Sequence, residues 1–143
     1  MPRLKSVDHY WTRKEVEQDT EHTYIFGDNL QQSVPNPKTG KWDVPSATQA
    51  VIRGLPNAIG ISTKKTAGGR KEDFFEENND KDFEKFRASV DAAIEKAKKA
   101  GKPVKISAYG LGTGAAAVRG AFANGTGRFF DYLYMKLTEL DKA

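Results

Sequence analysis

The chain is 143 residues long, 38% hydrophobic and 29% charged, which is long enough to bury a core without staples and too apolar for disorder throughout. It has no cysteine, which excludes a disulfide framework, a thiol nucleophile and a thiolate metal site, and its two histidines, His9 and His22, lie near the N-terminus, which argues against a histidine-rich metal centre. The formal charge of +4 and pI of about 9.2 favour the approach of a phosphate-bearing ligand but are mild for a nucleic-acid binder, and no apolar run reaches membrane-spanning length.

One α/β domain over residues 1–143 is expected, with 1–22 as a partly helical N-terminal extension. Within that extension Thr12-Arg13-Lys14-Glu15 has the form of a capping box and predicts a short helix that lays Trp11 and Val16 onto the body. Tyr10 and Trp11 are its bulky anchors. Thr23-Tyr24-Ile25-Phe26 reads as a buried strand that breaks at Gly27-Asp28-Asn29. Residues 31–45 hold three prolines and Gly40 without periodicity, a long excursion of the kind often used as a binding loop or flap.

Ser46 to Gly54 predicts a short helix with Ser46 as N-cap and Gly54 as its stop. Residues 57–63 read as a second strand, packed closely on both faces. A second polar loop over 64–79 is pinned by Phe74 and Phe75. Residues 80–100 give the clearest helix: Phe83, Phe86, Val90, Ala93 and Ala97 share a face, and Gly101 and Pro103 end it. A strand over 104–108 then runs into Tyr109-Gly110-Leu111-Gly112-Thr113-Gly114. A helical turn or two follows over 115–123, and a final amphipathic helix runs from about Arg128 to Leu140. Strands alternating with helices predict a three-layer α/β sandwich around a mainly parallel, Rossmann-like sheet.

In such a sheet the loops leaving the C-terminal strand ends line the ligand crevice. Here they carry Gly27-Asp28-Asn29, Thr63-Lys64 and Tyr109 to Gly114. The bare backbone of Gly110, Gly112 and Gly114 suits a diphosphate, with Thr113 adding a hydroxyl, although no P-loop or full dinucleotide spacing is present. A tight turn needing glycines for its angles explains the same pattern. Asp28 and Asn29 offer partners for ribose or a base edge, with Asp28 the weak candidate for a general base; an Asx turn is the alternative. Arg53 and Lys64 are candidate phosphate partners, and Lys65 reads as a solvated surface residue. Gln49 and Tyr109 complete the candidate set, Tyr109 by stacking or as a core aromatic. No cofactor, catalytic pair or metal site is indicated.

The blocks Tyr24-Ile25-Phe26-Gly27-Asp28-Asn29-Leu30, Gln49 to Ile61, Thr63-Lys64 and Gly110-Leu111-Gly112-Thr113-Gly114 resemble the signature of a family of short, largely uncharacterised bacterial and phage proteins. The layout is similar to macro domains, α/β folds that bind ADP-ribose and sometimes hydrolyse its esters. That resemblance implies Asp28 against adenine or ribose, and Gly112, Thr113 and Gly114 against a diphosphate. One departure stands out: the family runs a glycine-rich segment into the Gln-Ala pair, and here Val44-Pro45-Ser46-Ala47-Thr48 occupies it.

The expected function is therefore binding of a nucleotide-type ligand (ADP-ribose, NAD-like or related), with hydrolysis of an ADP-ribose linkage as an extension. An alternative is a phage or bacterial regulator that engages a host protein through loops 31–45 and 64–79. Nucleic-acid binding through Lys64, Lys65, Arg70 and Lys71 is the weakest reading, because acids intersperse them. The expected setting is cytoplasmic, host cytoplasm if phage-encoded, away from membranes; the N-terminus shows no apolar signal-peptide core.

Overall fold

The computed structural model describes residues 3–7, 9–46, 48–107 and 111–142. Four strands form one sheet: β1 (Leu4–Val7), β2 (Thr23–Asn29), β3 (Ala58–Lys64) and β4 (Val104–Ser107), in the order β1-β4-β2-β3. Every pairing is parallel, with Tyr24 opposite Ala58, Thr23 opposite Val104 and Leu4 also opposite Val104. Parallel strands need crossovers, and the helices that make them cover both faces.

Strand periodicity divides the core. On β2, Ile25 faces one cluster while Tyr24 and Phe26 face the other. The first cluster is closed by α2 (Asp80–Ala100) and α3 (Arg128–Lys142), which bury Phe86, Val90, Ala93, Ile94, Ala97, Phe129, Leu133 and Leu140. The second is closed by α1 (Arg13–Gln18) and a 3-10 turn, Gln49–Ile52, with Trp11, Val16, Val51 and Ile52 inside. An α/β sandwich results.

Local signals explain the helix ends. Thr12 and Glu15 close the capping box of α1. On α2, Asn79 caps the N-terminus and Gly101, at φ 68°, ends it in the left-handed conformation.

Three readings change. Residues 4–7 form an edge strand that the polar N-terminus concealed. Of the two expected anchors, Trp11 is buried while Tyr10 is 71% exposed. The helix placed over 46–54 is only the 3-10 turn, capped by Thr48 and not Ser46. Pro56 and the positive φ of Gly54 leave no room for a further turn. The strand over 104–108 ends at Ser107 among the described residues, with Ala108 outside them.

The rings of Phe75, Phe86, Phe122 and Phe129 pack against one another at centroid distances of 5.1 to 6.1 Å. Phe129 is fully buried at their centre. Phe129→Ala is expected to lower stability by about 3–5 kcal/mol in urea denaturation, the range for emptying a large core site.

Candidate functional site

The C-terminal edge of the sheet opens into a crevice of about 570 Å³, within the usual size of small-molecule sites. The chain following each strand reaches it: Tyr10 after β1, Gly27 to Asn29 on β2, Thr63 and Lys64 on β3, Ser107 on β4 and Gly112 to Ala116 beyond. Of the sequence candidates, Gly27, Asp28, Asn29, Gln49, Thr63, Lys64, Gly112, Thr113 and Gly114 line this one space. Tyr109 and Gly110 lie outside the described residues.

Asp28 ends the regular part of β2, and its Oδ1 accepts Arg53 Nε at 3.0 Å, Arg53 Nη2 at 2.5 Å and the Asn29 N–H at 2.8 Å. Both side chains of the ion pair are 3% exposed. Arg53 Nη1 also donates to the Asp43 carbonyl at 2.6 Å, which ties the 31–45 excursion to the sheet. Gly60 makes room for this: a Cβ there would meet Asp28 Oδ2 at 2.7 Å. Arg53, offered as a phosphate partner, lines no part of the crevice and instead braces Asp28 from behind.

Beyond Asp28 the β2–β3 register shifts, so that Asn29 pairs with Lys64 while Asp28 pairs with Ser62. The irregularity leaves Thr63 and Lys64 at the crevice wall. Asn29 closes a local turn three residues long: its Oδ1 accepts the Gln32 N–H at 3.0 Å and its Nδ2 donates to Gln32 Oε1 at 2.9 Å. Gln49 Oε1 accepts the Gly27 N–H at 3.0 Å, and the Gln49 carbonyl accepts Trp11 Nε1 at 3.0 Å, so this wall is fixed at both ends.

Lys64 is 7% exposed. Its Nζ donates to the carbonyls of Ala67 at 3.1 Å and Gly68 at 2.7 Å, and sits 4.7 Å from the Phe74 ring centroid. Burial pushes this amine below its ordinary value, and the charge of Asp73 opposes the shift. Asp73 organises the loop that follows, taking hydrogen bonds from the Thr66 hydroxyl and the Arg70 N–H. Those bonds, the Thr66 hydroxyl first, hold its carboxyl down at about 2. Phe74 and Phe75 are buried and pin the loop as expected. Lys65 is partly covered and lies 3.6 Å from Asp82.

The glycine turn answers partly to the fold. Gly112 has φ +77° and a Cβ there would strike Phe122 Cδ1 at 2.4 Å, so the core demands this glycine. Gly114, at φ +61°, has open space where its Cβ would stand.

Several wall residues escaped the sequence reading, and Thr48 is the most unusual of them. Thr48 is a β-branched residue at φ 96°, in a region that favours glycine. Its Oγ1 accepts the Ala50 N–H at 3.2 Å. Such strain is worth on the order of 1–3 kcal/mol and persists where the surroundings hold it in place.

Residues 6–131 match a family of unknown function (DUF7831). The chain belongs to that family. No curated protein and no solved structure matches it. Among the described residues no helix is long and apolar enough to cross a membrane.

Arg53→Met would leave Asp28 buried without its counter-charge, and is expected to cost about 3–5 kcal/mol in urea denaturation. Adding Asp28→Asn should recover part of that loss; a single-variant loss below about 1 kcal/mol would contradict a structural pair. For Asp73, the folded value of about 2 lies below the ordinary 3.8, so its contribution is complete above the ordinary value and disappears as pH falls through the folded one. The Tm gap between wild type and Asp73→Asn should therefore be full above pH about 5 and close near pH about 2, as followed by circular dichroism.

Proposed function

We propose that the crevice binds a nucleotide-type ligand such as ADP-ribose, an NAD-like molecule or a related compound. The observation that carries this reading is a cavity of about 570 Å³ at the C-terminal edge of an all-parallel sheet, into which the chain after each strand converges. Ligands of α/β sheets collect at this edge, because strand ends deliver loops there without disturbing the core. The macro-like layout supplies the orientation: the base or ribose toward Asp28 and Asn29, the diphosphate toward Gly112 to Gly114.

The wall chemistry favours binding over turnover. Among the described residues Asp28 is the only carboxylate along the crevice; Arg53 and the Asn29 N–H hold its Oδ1, and its Oδ2 lies against Gly60. A base needs a lone pair aimed at its proton. Binding is therefore the activity put forward.

A thermal-shift panel of ADP-ribose, NAD, ADP and AMP tests the reading. A ligand at about a hundred times its Kd adds about 2.7 kcal/mol, or roughly 5–10 °C in Tm for a chain of this size. Gly114→Glu sets a carboxylate in open space and should abolish the shift with a modest fall in the ligand-free Tm. Gly112→Glu is unsuitable, because it strikes Phe122. A wild-type protein unmoved by every nucleotide would overturn the proposal.

A further inference from the structure

Among the described residues, two charged ones line the crevice, Asp28 and Lys64. Arg53 neutralises the first. Lys64 is different: its Nζ meets two carbonyls and an aromatic face, all formally neutral. Asp73, the carboxylate that acts on it, is spent on Thr66 and Arg70 and makes no ion pair with Lys64. Lysine is seldom buried without a counter-charge, because the ammonium loses its hydration without Coulombic return. Among the described residues the crevice wall thus carries one positive charge with no ion-pair partner, on which Asp73 acts only through space.

We propose that Lys64 is the anion anchor of the crevice and seats a phosphate or diphosphate group of the ligand. The proposal rests on the crevice being the ligand site and narrows the ligand to a phosphorylated one. An ammonium has three N–H donors, and two are engaged by Ala67 and Gly68. The third serves the anion. As a compact point charge, lysine suits phosphate oxygens without demanding the planar fork geometry of arginine. An anion beside Nζ would also supply the counter-charge that the fold withholds, so occupancy relieves the burial cost and makes binding steeply charge-selective. The unphosphorylated nucleoside would forgo this contact.

Calorimetry with inorganic pyrophosphate, AMP and adenosine separates the possibilities, using wild type, Lys64→Met, Lys64→Arg and the neighbouring control Lys65→Met. Wild type should bind pyrophosphate and AMP, with adenosine at least tenfold weaker than AMP. Lys64→Met should weaken pyrophosphate and AMP at least tenfold and leave adenosine unchanged; Lys64→Arg should restore most of the loss, and Lys65→Met should behave as wild type. Equal pyrophosphate binding by wild type and Lys64→Met, or none by wild type, overturns the proposal.

Lys64→Met also removes the tether to residues 67 and 68, so a measurement on the unaltered protein stands beside it. Reductive methylation read by mass spectrometry should be slowed at Lys64 at least threefold by pyrophosphate, with Lys65 and Lys71 unaffected; an unchanged rate at Lys64 overturns the proposal. Nucleotides that bind wild type and Lys64→Met equally would leave the nucleotide reading standing and remove the anion anchor. Lys64-dependent pyrophosphate binding with no nucleotide binding would do the reverse.

Discussion

The Asp28–Arg53 ion pair is the constraint on which the site depends. It joins three segments in one buried cluster: the end of β2, the end of the 3-10 turn before Gly54 and, through the Asp43 carbonyl, the long 31–45 excursion. Behind it lies a second, smaller cavity of about 300 Å³, and Asp28 lines both spaces. The pair is therefore a septum between the two spaces, and it ties the excursion, whose Gln32 and Pro45 line the crevice, to the sheet. A buried pair contributes little net stability against an apolar substitute, because both charges lose their hydration. Its value is specification, and Gly60 shows the commitment, since β3 forgoes a side chain there to admit the carboxylate.

How far the sequence reveals this arrangement follows from the range of each signal. Alternating and helical periodicities are local, so β2, β3, α2 and the three loops of the crevice are legible in the chain. The edge strand β1 is not, because Leu-Lys-Ser-Val buries only Val7 well and has no run to announce it. Arg53 misleads for a different reason. Twenty-five positions separate it from Asp28, and a guanidinium beside a helix end reads equally as a phosphate clamp. Lys64 and Lys65 are adjacent and chemically identical; the β2–β3 irregularity buries one and leaves the other partly covered beside Asp82. Composition cannot distinguish them.

Glycines carry two messages that the sequence superimposes. At Gly112 the positive φ and the Phe122 ring both exclude a side chain, so the residue would be glycine with or without a ligand. At Gly114 only the backbone angle asks for it, and the space beyond is open. Thr48 is the converse: the backbone takes a conformation suited to glycine while the residue is β-branched. The Thr48 conformation is held by its surroundings, here the 3-10 turn that Thr48 itself caps and the Gln49 bonds to Gly27 and Trp11. At this wall a β-branched side chain thus stands on a backbone path with a glycine-like angle.

The remaining wall is built from the opposite side. Loop 64–79 has no regular structure beyond one short 3-10 turn, Lys71–Asp73, yet it is not loose. Asp73 gathers the Thr66 hydroxyl and the Arg70 N–H from within, while the Asp73 carbonyl accepts the N–H groups of Lys65 and Thr66. Lys64 then holds the Ala67 and Gly68 carbonyls from the crevice side. The two charges thus brace one loop without touching each other. Because they stay apart, the carboxylate is consumed by the loop and the ammonium keeps its charge at the wall. Were the two in contact, the loop would gain an ion pair and Lys64 would have a direct counter-charge on the loop side of the wall.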